Sequence, residues 1–591
     1  MPAHTTWTLI YAALLFAALP FTFAHGDEHD EAMNPSAHDA LHFQAHDNEA
    51  PQSYWSVSDH TTLMYWHIAL EILAWIVVLP IAVMLSIARS SFTQACQLVF
   101  LAINSVALVL GLVYNHSTPE LYANDSHRKT GWIVTWVASA WVFMALVEAF
   151  ASRKDTPEAS DEAAQLMTTD NMARYLRVQD EEEIPKPRWS HDSGQGTERN
   201  SASLYGHSRS PSVETENQHY ETPSGPFHDD IDSFDAEAEK RGFLHNIPVE
   251  RFFSQKIARF AVGRTLKVMR FVSIVLERTL LVQGLVAIAT GSVVYGGIGR
   301  GGAVFNVLAH YIKGGIFFLY GLLTLGRWMG AFADFGWAWN VKPTRDVVGG
   351  RKAAIPSAEF TESFVIWLYG ITNVFLEHLA AWGDAWTAQD LEHVSISVMF
   401  LGCGTLGMIV ESTKMRELLN SAVNTSTSLS QHHAEIWREP RQYRVSMNPL
   451  PALTIMLLGK MMSSHHQDSM LSTMIHGQWG SMFMGFALAR GLTYILLYLS
   501  PPTSLLPSRP PTEIVTAFCL ISGGITFVLS NKDTVAVLES YHLDAMFVFT
   551  VTMGLTALLM AWTTAVIAIK GWALQRESSS RHAKKYAGVS A

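Results

Sequence analysis

The chain has 591 residues, of which 49% are hydrophobic and only 16% are charged, and its mean hydropathy is +0.15. Soluble domains carry about a quarter charged residues, so this composition is typical of a membrane protein. The net charge of −11 argues against nucleic-acid binding, which requires a basic surface. The three cysteines, Cys96, Cys403 and Cys519, fall in apolar segments without paired spacing, which argues against a disulfide framework and a thiolate metal site.

Residues 1–24 have the pattern of a secretory signal peptide. An apolar run ends in Thr22-Phe23-Ala24, which resembles a small-residue cleavage site. The basic region that normally precedes such a run is weak, so an uncleaved first helix is the alternative.

Residues 25–60 form a short acidic segment that we expect on the lumenal side. His38, His42 and His46 recur among aspartates and glutamates. Such a tract either collects divalent metal weakly or is a solvated, disordered leader.

Three apolar runs then predict an amino-terminal membrane domain, residues 61–150. They are Leu63–Ile87, Ala95–Tyr114 and Gly131–Phe150, and Pro80 predicts a kink in the first. About 20 apolar residues cross a hydrocarbon core of about 30 Å, so each run is long enough to span a bilayer.

A polar stretch, residues 151–245, separates this domain from the rest of the chain. It is rich in Asp, Glu, Ser, Gly and Pro and lacks apolar periodicity, which predicts a disordered cytoplasmic linker. Residues 246–271 follow as a basic amphipathic segment, a pattern that favours a helix lying on anionic lipid.

Eight further apolar segments predict a carboxy-terminal membrane domain, residues 272–571, followed by a tail, 572–591. They are Val272–Tyr295, Val304–Leu325, Phe360–Ala381, Val394–Val410, Leu450–Met462, Ser472–Tyr498, Glu513–Leu529 and Ala545–Ile569. The fold class is therefore all-α: a polytopic membrane protein of about eleven transmembrane helices, in two bundles joined by a disordered polar linker.

The distribution of lysine and arginine predicts the orientation. With a signal peptide the mature chain starts outside, and the basic loops and the basic tail then fall on the cytoplasmic side. We expect an integral protein of the secretory system, in the endoplasmic reticulum, the vacuole or the plasma membrane. Sequons at Asn115 and Asn124 fall on the outer side and predict a glycoprotein.

Nearly every histidine close to a helix end falls on this outer side. The set is His60, His67, His116, His127, His310, His378, His393, His465, His466, His476 and His542. Because neutral imidazole is the commonest metal ligand, a one-sided cluster indicates a transition-metal or haem site.

The main predicted site combines two helix hairpins of the carboxy-terminal domain. Its ligands would be Glu377, His378, His393, His465, His466 and His476. Histidine and glutamate at an interhelical site suit copper, iron or zinc. The alternative is that these polar side chains bind no metal and occur there because helix ends are exposed to water.

A second constellation lies in the amino-terminal domain. His67 and Glu71 share one helix face, and a haem b between His67 and either His127 or His116 is the alternative cofactor hypothesis. These three spans resemble the membrane cores of the cytochrome b561 type. That resemblance implies one haem near each membrane face, but the inner ends of these spans carry no histidine.

The whole arrangement resembles the fungal Ytp1-like family of integral membrane proteins. The carrying stretches are Met64-Tyr65-Trp66-His67, Trp75 to Pro80, Asn373 to His378, Asn448-Pro-Leu-Pro451 and His465-His466-Gln467 to His476-Gly-Gln-Trp-Gly480. The resemblance implies a multi-span membrane protein with partial similarity to electron-transport proteins.

Three hypotheses follow: a metal-handling or redox membrane protein, a haem-bearing electron-transfer protein, and a structural or interaction protein without a cofactor. The glycine cluster Gly296 to Gly302 lacks the Lys-Ser/Thr of a phosphate loop, so an ATP-driven pump is disfavoured. The predicted partners are the bilayer and anionic lipid, without nucleic acid. The sequence leaves open which proteins the chain binds and whether it is an enzyme.

Overall fold

The computed structural model describes residues 53–122, 124–152, 263–376, 386, 388–426, 440–464, 467 and 469–587. Within these residues all regular structure is helical. The predicted signal peptide, the acidic segment up to residue 52 and the linker lie outside the described residues, as does the predicted interfacial helix up to residue 262.

Thirteen helices of nine or more residues are described. They are α1 Thr61–Ile87, α2 Thr93–Ser117, α3 Ser126–Ser152, α4 Gly263–Gly296, α5 Ala303–Met329, α6 Ala358–Leu376, α7 Ala388–Glu411, α8 Thr413–Ser426, α9 Leu450–Ser463, α10 Met470–Leu499, α11 Thr512–Leu529, α12 Lys532–Ser540 and α13 Ala545–Ala587.

The predicted crossings correspond to these helices. Nine of the described helices are long and apolar enough to cross a membrane, and α6 and α9 coincide with the other two predicted spans. The prediction of an all-helical polytopic membrane protein is therefore confirmed. Helix α4 begins at Gly263, so the last residues of the predicted interfacial segment are the first turns of a spanning helix.

Helix α1 has a π-helical segment, Leu73–Val78, directly before Pro80. Proline has no N–H to donate and its ring crowds the preceding turn, so the helix widens there instead of continuing with regular hydrogen bonds. This is the local distortion expected from Pro80.

Helices α1 to α4 form an amino-terminal four-helix bundle. Helix α1 packs on α2, α3 packs on α4, and further contacts join α2 to α3 and α1 to α4. The core of the bundle is aromatic and fully buried, with Trp75, Phe100 and Trp141 at its centre. Helices α1 and α3 therefore lie diagonally across the bundle, as do α2 and α4.

The carboxy-terminal helices pack through glycines. At Gly370 of α6 an added Cβ would lie 2.4 Å from the backbone nitrogen of Leu401, and at Gly404 of α7 it would lie 2.5 Å from that of Trp367. Backbones approach this closely only where a side chain is absent, which is a common mode of helix association in membranes.

Helix α13 contacts both groups of helices. The indole nitrogen of Trp562 donates to the carbonyl of Ile76 at 2.9 Å. Ala573 of the same helix is buried against Leu85 and Ala88 of the α1 end. The last apolar helix, α13, therefore packs against the amino-terminal bundle.

Candidate functional site

Two histidines meet inside one end of the amino-terminal bundle. His67 comes from α1 and His127 from α3, the two helices that face each other diagonally. Their ring centres are 6.4 Å apart and the ring planes are inclined by 69°. Both side chains are half-buried. The structure thus brings together two of the three residues predicted as haem ligands.

Each of these imidazoles is held by a backbone carbonyl of a neighbouring helix. The Nδ1 of His67 lies 2.8 Å from the oxygen of Ala107 on α2, and the Nδ1 of His127 lies 3.1 Å from that of Ala287 on α4. Because a carbonyl can only accept, Nδ1 must carry the proton in both rings. This tautomer leaves Nε2 as the lone-pair nitrogen, the arrangement usual for metal-binding histidines.

Glycines on α2 and α4 provide the space for the two rings. A Cβ at Gly111 would lie 2.9 Å from Cε1 of His67, and a Cβ at Gly291 would lie 3.0 Å from Cε1 of His127. Any larger residue at these positions would displace an imidazole. The two diagonal helices α1 and α3 therefore carry the histidines, and the other two, α2 and α4, carry the glycines against which the rings pack.

Aromatic side chains lie at the same end of the bundle. Tyr114, one turn after Gly111, packs edge-on against Tyr54, and Tyr295, one turn after Gly291, packs edge-on against Trp55. Tyr54 and Trp55 both belong to a short helical turn, Tyr54–Ser56, that precedes α1.

The interior of the bundle below the pair is tightly packed. The indole nitrogen of Trp75 donates to Asn104 at 2.8 Å, and Asn104 donates to Thr135 at 3.3 Å. Among the described residues of α1 to α4, the opposite half of the bundle carries no histidine.

A second histidine pair lies in the carboxy-terminal bundle. The ring centres of His310 on α5 and His476 on α10 are 6.5 Å apart, and the planes are inclined by 88°. Each Nδ1 lies 2.8 Å from a carbonyl one turn earlier in its own helix, Asn306 and Ser472. Phe527 and Trp479 pack against these rings, so this pair sits in an aromatic environment.

Buried ionisable side chains form a chain at the opposite end of the same helices. Arg327 lies 2.9 Å from Glu359 and 2.7 Å from Glu362. Arg490 lies 3.5 Å from Glu362 and 2.8 Å from Glu513. We call the sequence Glu359–Arg327–Glu362–Arg490–Glu513 the ion chain. None of its side chains is more than 9% exposed.

A tryptophan loop supports the ion chain. The ring of Trp339 lies 4.4 Å from the guanidinium carbon of Arg327 and 5.7 Å from that of Arg490. Trp339 has a φ of 51°, an unusual backbone conformation for a bulky residue, and such strain persists only where the surroundings enforce it. Nearby in this loop, burial lowers the pKa of Lys342, whose ammonium group donates to the carbonyl of Ile355.

Comparisons with known proteins place the chain among fungal membrane proteins. It is 32% identical to an uncharacterized membrane protein of Schizosaccharomyces pombe, over 86% of this chain and 94% of that protein. Residues 283–571 match the family described as Protein YTP1-like, C-terminal. The chain belongs to the Ytp1-like family. Residues 48–151 match a domain of unknown function, DUF2427.

Two further relatives of this Ytp1-like chain come from Saccharomyces cerevisiae. An uncharacterized membrane protein is 39% identical over 48% of this chain and 45% of its own length. Protein YTP1 is 21% identical over 43% of this chain and 44% of its own length. No solved structure matches the chain.

The two matched regions of this Ytp1-like protein divide the amino-terminal site between them. His67, Gly111 and His127 fall in the first matched region, and Ala287 and Gly291 fall in the second. The histidine pair is therefore completed by α4, which follows the linker in sequence.

The structure describes only part of the predicted six-residue metal site. Glu377, His378, His465 and His466 lie outside the described residues. His393 borders an open cleft of about 540 Å³ whose lining includes Glu392, Met461 and Met462, and His476 is buried in its pair with His310. Among the described residues no three His, Cys, Asp or Glu side chains are grouped as metal ligands. The six-residue site stays a prediction.

His116, the third predicted haem residue, lies in the last turn of α2 with an exposed side chain. The facing pair consists of His67 and His127. The position of His116 around helix α2 explains the difference. Gly111 of α2 faces the imidazole of His67, and His116, five residues later, points about 140° away from it around the helix.

Sequence reasoning missed the ion chain. Arg327, Glu359, Glu362 and Glu513 lie near the ends of predicted apolar runs, where a charged residue is ordinarily an interfacial one. A usable signal was present in Arg490, which lies inside the predicted span Ser472–Tyr498, because an ionisable residue within a span is normally functional or paired.

Proposed function

We propose that this protein is a membrane electron-transfer protein that would bind one b-type haem, held by His67 and His127. The observation that carries this proposal is the facing pair of imidazoles in the amino-terminal bundle. A haem would bring four nitrogens to its iron, so the protein would need to supply only two side-chain ligands.

The spacing of the rings supports this ligand set. A histidine nitrogen binds a metal at about 2 Å, and the ring centre lies about 1 Å further, so two imidazoles on opposite sides of one metal have centres about 6 Å apart. The 6.4 Å between His67 and His127 agrees with that distance. The Nδ1 protons fixed by Ala107 and Ala287 direct the lone pairs to Nε2.

The residues around the pair would tune the site. Carbonyl hydrogen bonds to Nδ1 orient each ring and raise its basicity as a ligand. Gly111 and Gly291 allow close approach from the other two helices. A haem with two histidine ligands supplies one-electron transfer. No flavin or nicotinamide motif is evident in the sequence, so a separate redox partner would supply the electron.

The test is the visible spectrum of the full chain, produced with a haem supply and purified in detergent. We expect a Soret band that shifts on reduction, with one iron per chain by elemental analysis. Both His67→Ala and His127→Ala should lose the band. His116→Ala, an exposed histidine of the same bundle, should retain it. A Soret band that persists in both pair variants, or its absence from the haem-supplied wild type, contradicts the proposal.

The predicted outer-face metal site is the second candidate function. The cleft bordered by His393, Glu392, Met461 and Met462 favours it, because imidazole and thioether groups suit copper, and the cleft reaches Ser464, directly before His465-His466. Copper, zinc and iron measured in purified protein test it. Metal that is lost in His393→Ala and His466→Ala, while the haem spectrum is unchanged, supports this site; equal metal in all variants removes it.

A further inference from the structure

The ion chain at the other end of the helices has an odd number of members. Carboxylates and guanidiniums alternate along it, and it both begins and ends with a carboxylate, Glu359 and Glu513. Three glutamates face two arginines, so the fully ionised chain carries a net charge of −1. One negative charge is left without a partner of its own.

The groups that face the chain from neighbouring helices do not compensate this charge. Tyr320 of α5 lies 3.5 Å from Arg490, and Tyr494 of α10 faces the same guanidinium; both are neutral as phenols. Glu411 of α7 adds a further carboxylate and interacts with Arg416. In the supporting loop, Lys352 is paired with Asp334 at 2.7 Å, and the ammonium group of Lys342 donates to the backbone carbonyl of Ile355 and not to a carboxylate of the chain. Among the described residues, the excess of one carboxylate therefore stands.

An unpaired charge in this position is costly. All five side chains are at least nine-tenths buried, and Arg327, Arg490 and Glu513 belong to helices that are long and apolar enough to cross a membrane. Isolated ions in such surroundings are strongly disfavoured, and the usual resolution is that the group becomes neutral.

Unused hydrogen-bonding atoms lie at the Glu513 end of the chain. The Nη2 of Arg490 and the Nε1 of Trp339 are buried donors without a hydrogen bond in the described residues. Both carboxyl oxygens of Glu513 are also without a well-aligned hydrogen bond, although Oε1 lies 2.8 Å from Nε of Arg490. The carboxyl oxygens of Glu513 can therefore accept a proton, and the two buried donors are available for further hydrogen bonds.

We propose that the ion chain is a binding site for one exchangeable proton. Uptake converts one carboxylate to a carboxylic acid, and the net charge of the chain changes from −1 to zero without any redox step. The proton belongs to the coupled chain as a whole, because three carboxyls joined by two guanidiniums titrate together. This site is separate from the histidine pair and does not depend on a bound haem.

Infrared difference spectroscopy of the full chain in lipid vesicles, recorded across a pH titration, tests the site. A protonated carboxyl has a carbonyl stretch that a carboxylate lacks, and this band moves to lower frequency in D₂O. Other buried carboxyls, such as Glu277, can contribute to the same spectral region, so the contribution of the ion chain is the component that differs between the wild type and the chain variants. Glu513→Gln and Glu359→Gln should each remove this component, because two glutamates then balance two arginines and all four stay ionised.

Glu277→Gln is the matched control. Glu277 is a buried carboxyl of α4 that accepts a hydrogen bond from Ser86, outside the ion chain, so the component of the ion chain should persist in this variant. Thermal unfolding of each variant checks that it is folded. If one of the two chain variants does not fold, the other carries the test, since the charge count makes the same prediction for both.

Three results overturn the proposal: no titrating carboxyl component in the wild type, a component that is unchanged in both folded chain variants, or a component that appears only when sodium and potassium are removed. The first means that the chain stays fully ionised. The last means that a bound cation, and not a proton, balances the third carboxylate.

Discussion

The position of single protons and single Cβ atoms decides the chemistry of the histidine pair. Both Nδ1 atoms face carbonyl oxygens, which fixes the tautomer of His67 and of His127. Their rings also lie against glycines, so a change of one methyl group at Gly111 or Gly291 reaches the site.

We predict that Gly111→Ala weakens the site. The new Cβ would lie 2.9 Å from Cε1 of His67, so the ring must move and its bond to Ala107 is strained, a cost of about 1–3 kcal/mol for overpacking. This exceeds the gain of about 1 kcal/mol that alanine brings to a helix. The unfolding midpoint in detergent should fall, and so should haem content.

Gly131→Ala is the matched control for Gly111→Ala. Nothing lies within 4 Å of a Cβ at Gly131, in α3 of the same bundle. Its midpoint should stay constant or rise. Equal midpoints for the two variants would contradict the close contact between Gly111 and the imidazole.

We predict that Arg327→Met destabilises the protein by about 3–5 kcal/mol, because it leaves Glu359 and Glu362 buried without their common partner. Lys352→Met is the comparison, since it removes an ion pair with Asp334 that is more than a quarter exposed and contributes less than about 1 kcal/mol. Chemical unfolding of both variants measures the difference, and similar losses would refute the importance of burial.

At the scale of helices, packing depends on which face of a helix carries its small residues. Gly404 of α7 faces α6 at 2.5 Å from the backbone of Trp367, whereas nothing lies within 4 Å of a Cβ at Gly402, two residues earlier. Two residues correspond to about 200° around a helix, so these glycines point in nearly opposite directions.

We therefore predict opposite results for two leucine substitutions in α7. Gly404→Leu should separate α6 from α7 and lower the yield of folded protein severalfold, because the opposing atoms are backbone and cannot rotate away. Gly402→Leu should leave the yield near that of the wild type. Size-exclusion chromatography of the tagged proteins compares them, and equal yields would mean that the two helices do not pack through Gly404.

The hydropathy pattern predicted the elements well, and Pro80 lies close to an irregular segment of α1, the π-helical Leu73–Val78. It did not predict the pairing of elements. The apolar runs of α1 and α3 are similar in composition, and nothing in either run specifies that His67 and His127 point at each other across a diagonal. That depends on the rotation of each helix about its own axis, which packing fixes.

At the scale of the whole molecule, the two histidine pairs and the ion chain lie at different ends of the helices that carry them. His310 and Arg327 lie 17 residues apart on α5, and His476 and Arg490 lie 14 apart on α10, which separates the two kinds of site by about 21–25 Å along the helices. Chemistry based on imidazole and chemistry based on buried carboxyls thus occupy opposite ends.

We predict that the histidine end faces outwards and that Ala591 is cytoplasmic. The basic loops and tail support this orientation. A tag at Ala591 should be protected from a membrane-impermeant reagent in intact cells or sealed vesicles and should react after permeabilisation. A tag on the acidic segment at residue 48 should show the reverse. Reaction of the Ala591 tag without permeabilisation would invert the topology.

The sequence by itself determined that this protein is an all-helical membrane protein of the Ytp1-like family, because hydropathy is a local property that a run of about 20 residues already contains. Only the tertiary structure decided that His67 faces His127, that His116 does not, and that five charges from four helices form one buried chain. Those contacts join residues up to 128 positions apart, as between Glu362 and Arg490, and depend on how helices rotate and pack.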